Sequence, residues 1–280
     1  MMTEQETFYN DILADLENGT LMLPTLPEVA LKVREVVDEP DVTAAQLAEI
    51  IITDAALSTR LLKVANSALY RGRMPTETIQ MAVSRLGLTL VRNLVTSLVM
   101  EQMFQATSNR LDNRLHVLWE HSREVSAISQ MLGSKQAGIK NDEAMLAGLI
   151  HNIGVLPILM KAEETPGLLQ NTALLDNVIE ALYPRIGAAI LKSWKFSDEF
   201  IAVAAGHNDL DRPANTSPSL VDIVQVANLQ SYFNTDKALD ASTLEKVQAF
   251  KTLNIDIEMN VDELDENSEE YAEALALFGG

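Results

Sequence analysis

An all-α fold in two packed helical lobes is what this 280-residue sequence predicts. Three observations predict it. Apolar residues recur at intervals of three and four along most of the chain, and no segment alternates apolar and polar residues as a half-buried strand would. The breaks between periodic segments carry capping residues, proline or glycine. The length allows one large core or two modest ones.

The elements follow in order. Phe8, Ile12 and Leu16 fall on one face of a first helix that Asn18 and Gly19 should end. Pro24 and Pro27 punctuate a short connection, and a second helix with Val29, Val33, Val36 and Val37 stops at Pro40. Thr43 to Gln46 reads as a capping box, in which side chain and backbone of the two residues satisfy each other, ahead of Leu47, Ile50 and Ile51. Asp54 reads as a first-turn or capping acid, stabilised by the helix dipole, for a helix through Leu57, Leu61, Leu62 and Val64. Asn66 and Ser67 read as local hydrogen-bonding residues that end that helix and fix the next turn. After Pro75, a helix with Ile79, Val83 and Leu86 should close at a left-handed Gly87. Leu90 to Phe104 is strongly apolar and helical in spacing.

Polar residues from Thr107 to Arg114 read as a hinge between two halves. The second half opens with a long helix, Leu115 to Leu132, ending at Gly133. Asn141 or Asp142 should cap the next, which carries Met145, Leu146, Leu149 and Ile150 into His151. Later helices are expected to start near Pro184, Ser197 and Pro218. Trp119 and Trp194 read as core anchors. The expected organisation is an N-terminal helix over 1–20, a helical lobe over 21–107, a second over 108–255 and an acidic tail over 256–280.

Composition narrows the chemistry. Cysteine is absent, which excludes disulfides, thiolate metal sites and a cysteine nucleophile, and suits a reducing cytoplasm. No signal peptide is visible near the start, and no stretch offers the roughly 20 uninterrupted apolar residues that span a bilayer. The expectation is a cytoplasmic chain without membrane contact. The formal charge is −19. No Lys or Arg follows Lys251, while nine Asp and Glu lie between Asp256 and Glu273. So acidic a chain gains no counterion release on meeting nucleic acid, so direct binding there is not expected. The tail can attract a basic partner, though charge runs more often serve only solvation.

Phosphate-binding glycine loops, a GxSxG elbow, an HExxH helix and an EF-hand loop are all missing. Four histidines remain, His116, His121, His151 and His207, all in the second half. A histidine beside an apolar face is ordinarily a hydrogen-bonded core residue, yet neutral imidazole is also the commonest metal ligand.

Several ordered segments carry a resemblance. Leu23-Pro24-Thr25-Leu26-Pro27, Asp54 to Ser58, Val64 to Tyr70 and Ile79 to Gly87 resemble the N-terminal signature of HDOD domains. Leu118 to Ser122 and Ala147 to Gly154 resemble the matching parts of the wider HD superfamily. The resemblance covers about residues 20 to 235 and implies a helical scaffold related to HD phosphohydrolases, whose paired His and Asp ligands hold one or two divalent metals.

Matched motif by motif, that resemblance places His121, His151 and His207 at surviving ligand positions. Asn152 stands where the doublet aspartate belongs, and Asn228 where the final aspartate belongs. Tyr183 takes the place of a further histidine, and Asn208 follows His207. An asparagine oxygen is neutral and a weak donor, so a binuclear centre is not expected; hard ions want carboxylates. Three imidazoles plus water remain a possible single Zn²⁺ set. Glu124, Asp142 and Asp222 are the acids available to restore a lost charge.

The resemblance therefore implies a bacterial signal-transduction module acting through contacts with other signalling proteins, with no catalytic residue and no cofactor assigned. The alternative is a metal-dependent phosphohydrolase, with a single divalent metal such as Zn²⁺, acting on a nucleotide or other phosphate ester. A degenerate site that binds a nucleotide without turning it over is a third idea, though no phosphate cradle supports it.

Overall fold

The computed structural model describes residues 4–105, 111–165, 167–233, 235–257 and 268–277. No strand occurs among them. The first part holds α1 (Glu4–Glu17), α2 (Glu28–Val37), α3 (Ala44–Ile52), α4 (Ala55–Ala65), α5 (Ile79–Leu86) and α6 (Leu88–Met103). The second holds α7 (Asp112–Ser134), α8 (Asn141–Ile150), α9 (Val155–Glu164), α10 (Thr172–Ser193), α11 (Asp198–Gly206) and α12 (Leu220–Ser231). Two short helices, α13 (Ala241–Leu244) and α14 (Gln248–Leu253), and a terminal α15 (Ser268–Ala276) complete it.

Local chemistry sets the first lobe. The Gln46 amide donates to Thr43 Oγ1 (3.2 Å) while the Thr43 amide donates to Gln46 Oε1 (2.8 Å), which closes the expected capping box. Asp54 caps α4 by accepting from the Leu57 amide (2.9 Å). Asn66 donates to the Thr76 carbonyl (2.8 Å) and accepts from the Thr76 amide (2.7 Å), so it staples the turn after α4 to the entry of α5. Gly87, at φ +85°, lets the chain swing through 119° from α5 into α6. In this lobe α2 packs on α3 and α6, α5 on α3, and α4 on α5 and α6.

The second lobe is built on α7 and α8, held at close range by small residues. A side chain on Gly148 would come within 2.8 Å of the Val125 carbonyl, and one on Gly133 within 2.8 Å of Ala144 Cβ. Ser126 donates to the Met145 carbonyl across the same contact (2.8 Å). α10, α11 and α12 complete the lobe, and α6 against α8 joins the two lobes. α1 packs on α10 of the second lobe, with Lys161 paired to Asp15. Trp194 donates to the Pro24 carbonyl (3.0 Å), and Arg34 lies 3.7 Å over the Phe196 ring. Trp119 and Trp194 are both buried, as core anchors should be.

Several boundaries differ from the sequence reading. The hinge expected over 107–114 falls partly outside the described residues, and α7 already begins at Asp112. α7 ends at Ser134, one residue past the expected Gly133, whose missing side chain also admits Ala144. Neither Asn141 nor Asp142 caps α8; Lys140 is the N-cap position, and Asp142 accepts instead from Asn93 of α6 (2.6 Å). Pro184 starts nothing. α10 begins at Thr172, capped by Asn171, and runs through the proline. Leu174, Leu175, Val178, Leu182 and Ile186 are buried along it. That burial outweighs the roughly 3 kcal/mol that an internal proline costs.

Helix α9 and the terminal α15 were not anticipated. The run Asn141–Glu164 has the length and composition of a membrane-crossing segment, yet 89% of its most apolar window is buried within the fold. It serves here as core.

Between α8 and α9 the chain crosses α10 backbone to backbone at Gly154. An added Cβ there would lie 2.0 Å from the Tyr183 carbonyl oxygen and 2.5 Å from the Gly187 nitrogen. The Gly154 backbone is ordinary right-handed helical (φ −66°), so the exclusion is purely steric. Gly154→Ala is expected to lower unfolding free energy by at least about 2–3 kcal/mol in urea titrations. A change within a few tenths would show that the turn at Gly154 and α10 do not approach this closely.

Candidate functional site

His121 lies mid-way along α7, His151 ends α8, and His207 ends α11. The three converge. The His121 and His151 rings are 5.3 Å apart between centroids, and His151 and His207 are 4.8 Å apart and nearly perpendicular. His116 is exposed and takes no part.

Backbone carbonyls fix two of the ring tautomers. His151 Nδ1 is 2.6 Å from the Gly148 oxygen, and His207 Nδ1 is 2.8 Å from the Val203 oxygen. A carbonyl only accepts, so both Nδ1 atoms carry the proton and both Nε2 atoms present a lone pair. Tyr183 then donates to His207 Nε2 (3.0 Å). His121 Nε2 faces Asn228 Oδ1 (3.0 Å) and the Tyr232 hydroxyl (3.2 Å), with the Tyr232 ring stacked on it. With the Asn228 amide oriented so that its oxygen faces the ring, that nitrogen is the donor. Ser122 donates to the Leu118 carbonyl (2.7 Å) and approaches Asn152 Oδ1 at 3.0 Å. The Asn152 amide nitrogen is buried without a hydrogen-bond partner.

Burial keeps the rings neutral. It pushes His121 and His207 down to about 4 from the ordinary 6.5. His151 is held well below that value by burial first and then by its two histidine neighbours. Burial likewise raises the Tyr232 phenol to about 12, and the Tyr183 phenol above its ordinary range. The centre is a set of neutral donors and acceptors at physiological pH.

The outer hydrogen bonds of His151 and His207, from Nδ1 to a carbonyl, are of the sort that orient metal-bound imidazoles. The inner face does not fit a divalent ion. One Nε2 points a proton at Asn228 and another is taken by Tyr183, and Asn152 and Asn228 supply no negative charge to balance a dication. Among the described residues, no group of three or more His, Cys, Asp or Glu is arranged to hold a metal.

The three acids considered from sequence do not repair the set. Asp222 is locked by Arg212, Asn215 (2.9 Å) and Ser219 (2.6 Å). Asp142 binds Asn93 at the lobe seam. Glu124 is half-buried, its carboxyl raised by desolvation, and acts on Tyr232 only as a neighbouring charge. Asn208 follows His207, half-buried.

Sequence reasoning missed Tyr232, Ser122 and Ser231 (Oγ 3.5 Å from His121 Nδ1). A signal existed for two of them: Tyr232 is one helical turn beyond Asn228, and Ser122 adjoins His121.

Helices alone, with histidines delivered by helix ends onto one long central helix, define an HD-like scaffold. The HDOD domain profile matches residues 23–210, and the chain belongs to the HDOD family. A candidate metal-dependent phosphohydrolase from Shewanella amazonensis SB2B is 33% identical, with a TM-score of 0.84 covering 99% of this chain and 100% of that one. An HDOD domain protein of unknown function from Geobacter sulfurreducens superposes with a TM-score of 0.68 at 22% identity, covering 98% and 99%, which shows shared fold. A protein from Treponema pallidum (strain Nichols), described as uncharacterized, is 27% identical over 246 residues, 82% of this chain. The chain spans 46% of that relative's length.

The neutral imidazoles have a measurable consequence. A ring whose folded pKa lies below its unfolded value gains its proton only when the chain opens. Stability is therefore fully present above about pH 6.5 and is lost as pH falls toward 4. At pH 5 the loss should be on the order of 1–2 kcal/mol for each imidazole, read as a fall in urea midpoint. Replacing His207 by Gln should flatten that slope, and an unchanged slope would place the titration elsewhere.

Proposed function

We propose that this HDOD protein is a non-catalytic regulatory module of bacterial signal transduction, working in the cytoplasm through contacts with other signalling proteins. The observation that carries this reading is the neutral, internally hydrogen-bonded face of the centre. Protein groups take up His121 Nε2 and His207 Nε2, and both carboxylates of the HD pattern are asparagines. A hydrolytic centre needs an open coordination position and a charge to balance a dication. Neither is supplied by these residues. The strongly negative charge argues against nucleic acid as the partner.

A second reading is supported by the relative that is 33% identical and described as a candidate metal-dependent phosphohydrolase. Under it, His121, His151 and His207 would rearrange around a single Zn²⁺ and hydrolyse a phosphate ester. Elemental analysis of untagged protein purified without chelator separates the two. Substoichiometric metal after dialysis is expected, with hydrolysis of bis(p-nitrophenyl) phosphate at the buffer rate in the presence of Zn²⁺, Mn²⁺ or Mg²⁺. One tightly held metal per chain, together with turnover that disappears in a folded His151→Ala variant, would establish the enzyme reading instead.

A further inference from the structure

The acidic C-terminal segment is not only a solvated tail. Its helix α15 lies along α7 at the seam of the two lobes. Arg123 of α7, paired with Glu120 (2.7 Å), donates to the Leu275 carbonyl (2.9 Å) and so caps the helix end with a cation. Ala274 is its deepest described side chain, 3% exposed; Tyr271, Leu275 and Leu277 are half-buried.

The helix underfills its seat. A cleft of about 430 Å³ lies on one side, walled by Tyr70, Leu90, Gln130 and Met131 against Ala274. Another of about 330 Å³ lies on the other, walled by Arg60, Lys63 and Val64 against Ala276 and Leu277. Both reach Ala68, in the turn after α4. The walls mix apolar residues with Gln130, Ser134, Asn141 and Asp142, and the rim carries Lys63, Arg60 paired with Glu101 (2.7 Å) and Arg123 paired with Glu120, beside Glu273 of the helix. This is helix-in-groove recognition, made by the chain with itself and anchored by the Arg123 cation on the helix C-terminus.

We propose that this seam is a docking groove for an acidic amphipathic helix of a signalling partner, held in cis by residues 268–277 until that helix displaces them. The occupant carries Leu or Met where this chain has Ala274, and so fills the larger cleft, which that alanine lines. The inference rests on the protein-contact reading and gives that contact a place.

The probe is a fluorescent peptide of residues 264–280 carrying Ala274→Leu, titrated by anisotropy into the full chain. Ala274→Arg in the full chain drives a charged side chain into the buried position and should free the groove. Leu277→Asp does so from the other cleft and decides the matter if Ala274→Arg fails to fold. At least about tenfold tighter binding to the freed variants than to the wild type is expected, because the cis helix competes at a millimolar effective concentration. Equal affinity for wild type and variants, or binding to none, overturns the groove. Self-association of the wild type that the peptide dissolves would assign the seam to a second copy and overturn it also. None of these outcomes touches the metal and hydrolysis measurements on which the regulatory reading stands.

Discussion

The contact between α7 and α8 governs the second lobe. Gly133, Ala144, Gly148 and Ser126 let the two helices approach to a distance that admits no larger side chain. That approach brings His121, from the middle of one helix, to His151, at the end of the other. It also sets the depth at which α10 can cross, since the turn after α8 meets α10 backbone to backbone at Gly154. Tyr183 reaches His207 from that crossing. The imidazole cluster is a product of close packing, and its neutrality follows from the burial that the packing imposes.

Much of the fold was legible because local rules and tertiary packing agree there. Thr43 with Gln46, Asp54, Asn66 and Gly87 each satisfy a backbone need that their own side chain, or lack of one, makes readable. Where the two disagree, reading failed. Pro184 is a helix-starting signal by backbone chemistry, but buried residues on both sides of it keep one helix continuous. Gly133 looks like a terminator and is also a contact, because a missing Cβ serves either purpose. The terminal helix is hard to read from sequence because acids dominate its composition and only Tyr271, Ala274, Leu275 and Leu277 seat it.

The site was legible as a set of positions but not as a state. His121, His151, His207, Asn152, Tyr183 and Asn228 could be aligned from motifs, and they meet in space. Which ring nitrogen carries a proton could not be read, because that depends on the Gly148 and Val203 carbonyls. Those carbonyls belong to helical turns, and their direction comes from the fold alone.

The hydrogen-bonded centre also bears on how such a chain can change over generations. Asn152→Asp alone would bury a carboxylate with no cation to balance it. Tyr183→His alone would remove the hydroxyl that donates to the His207 lone pair, and Asn228→Asp would place a carboxylate beside the neutral His121 ring with no cation to balance it. Single steps toward an ionic centre bury charge without its counterion, whereas steps that keep the groups neutral do not. The centre acts as a ratchet: drift within the neutral network is cheap, and return to an ionic one requires several substitutions at once.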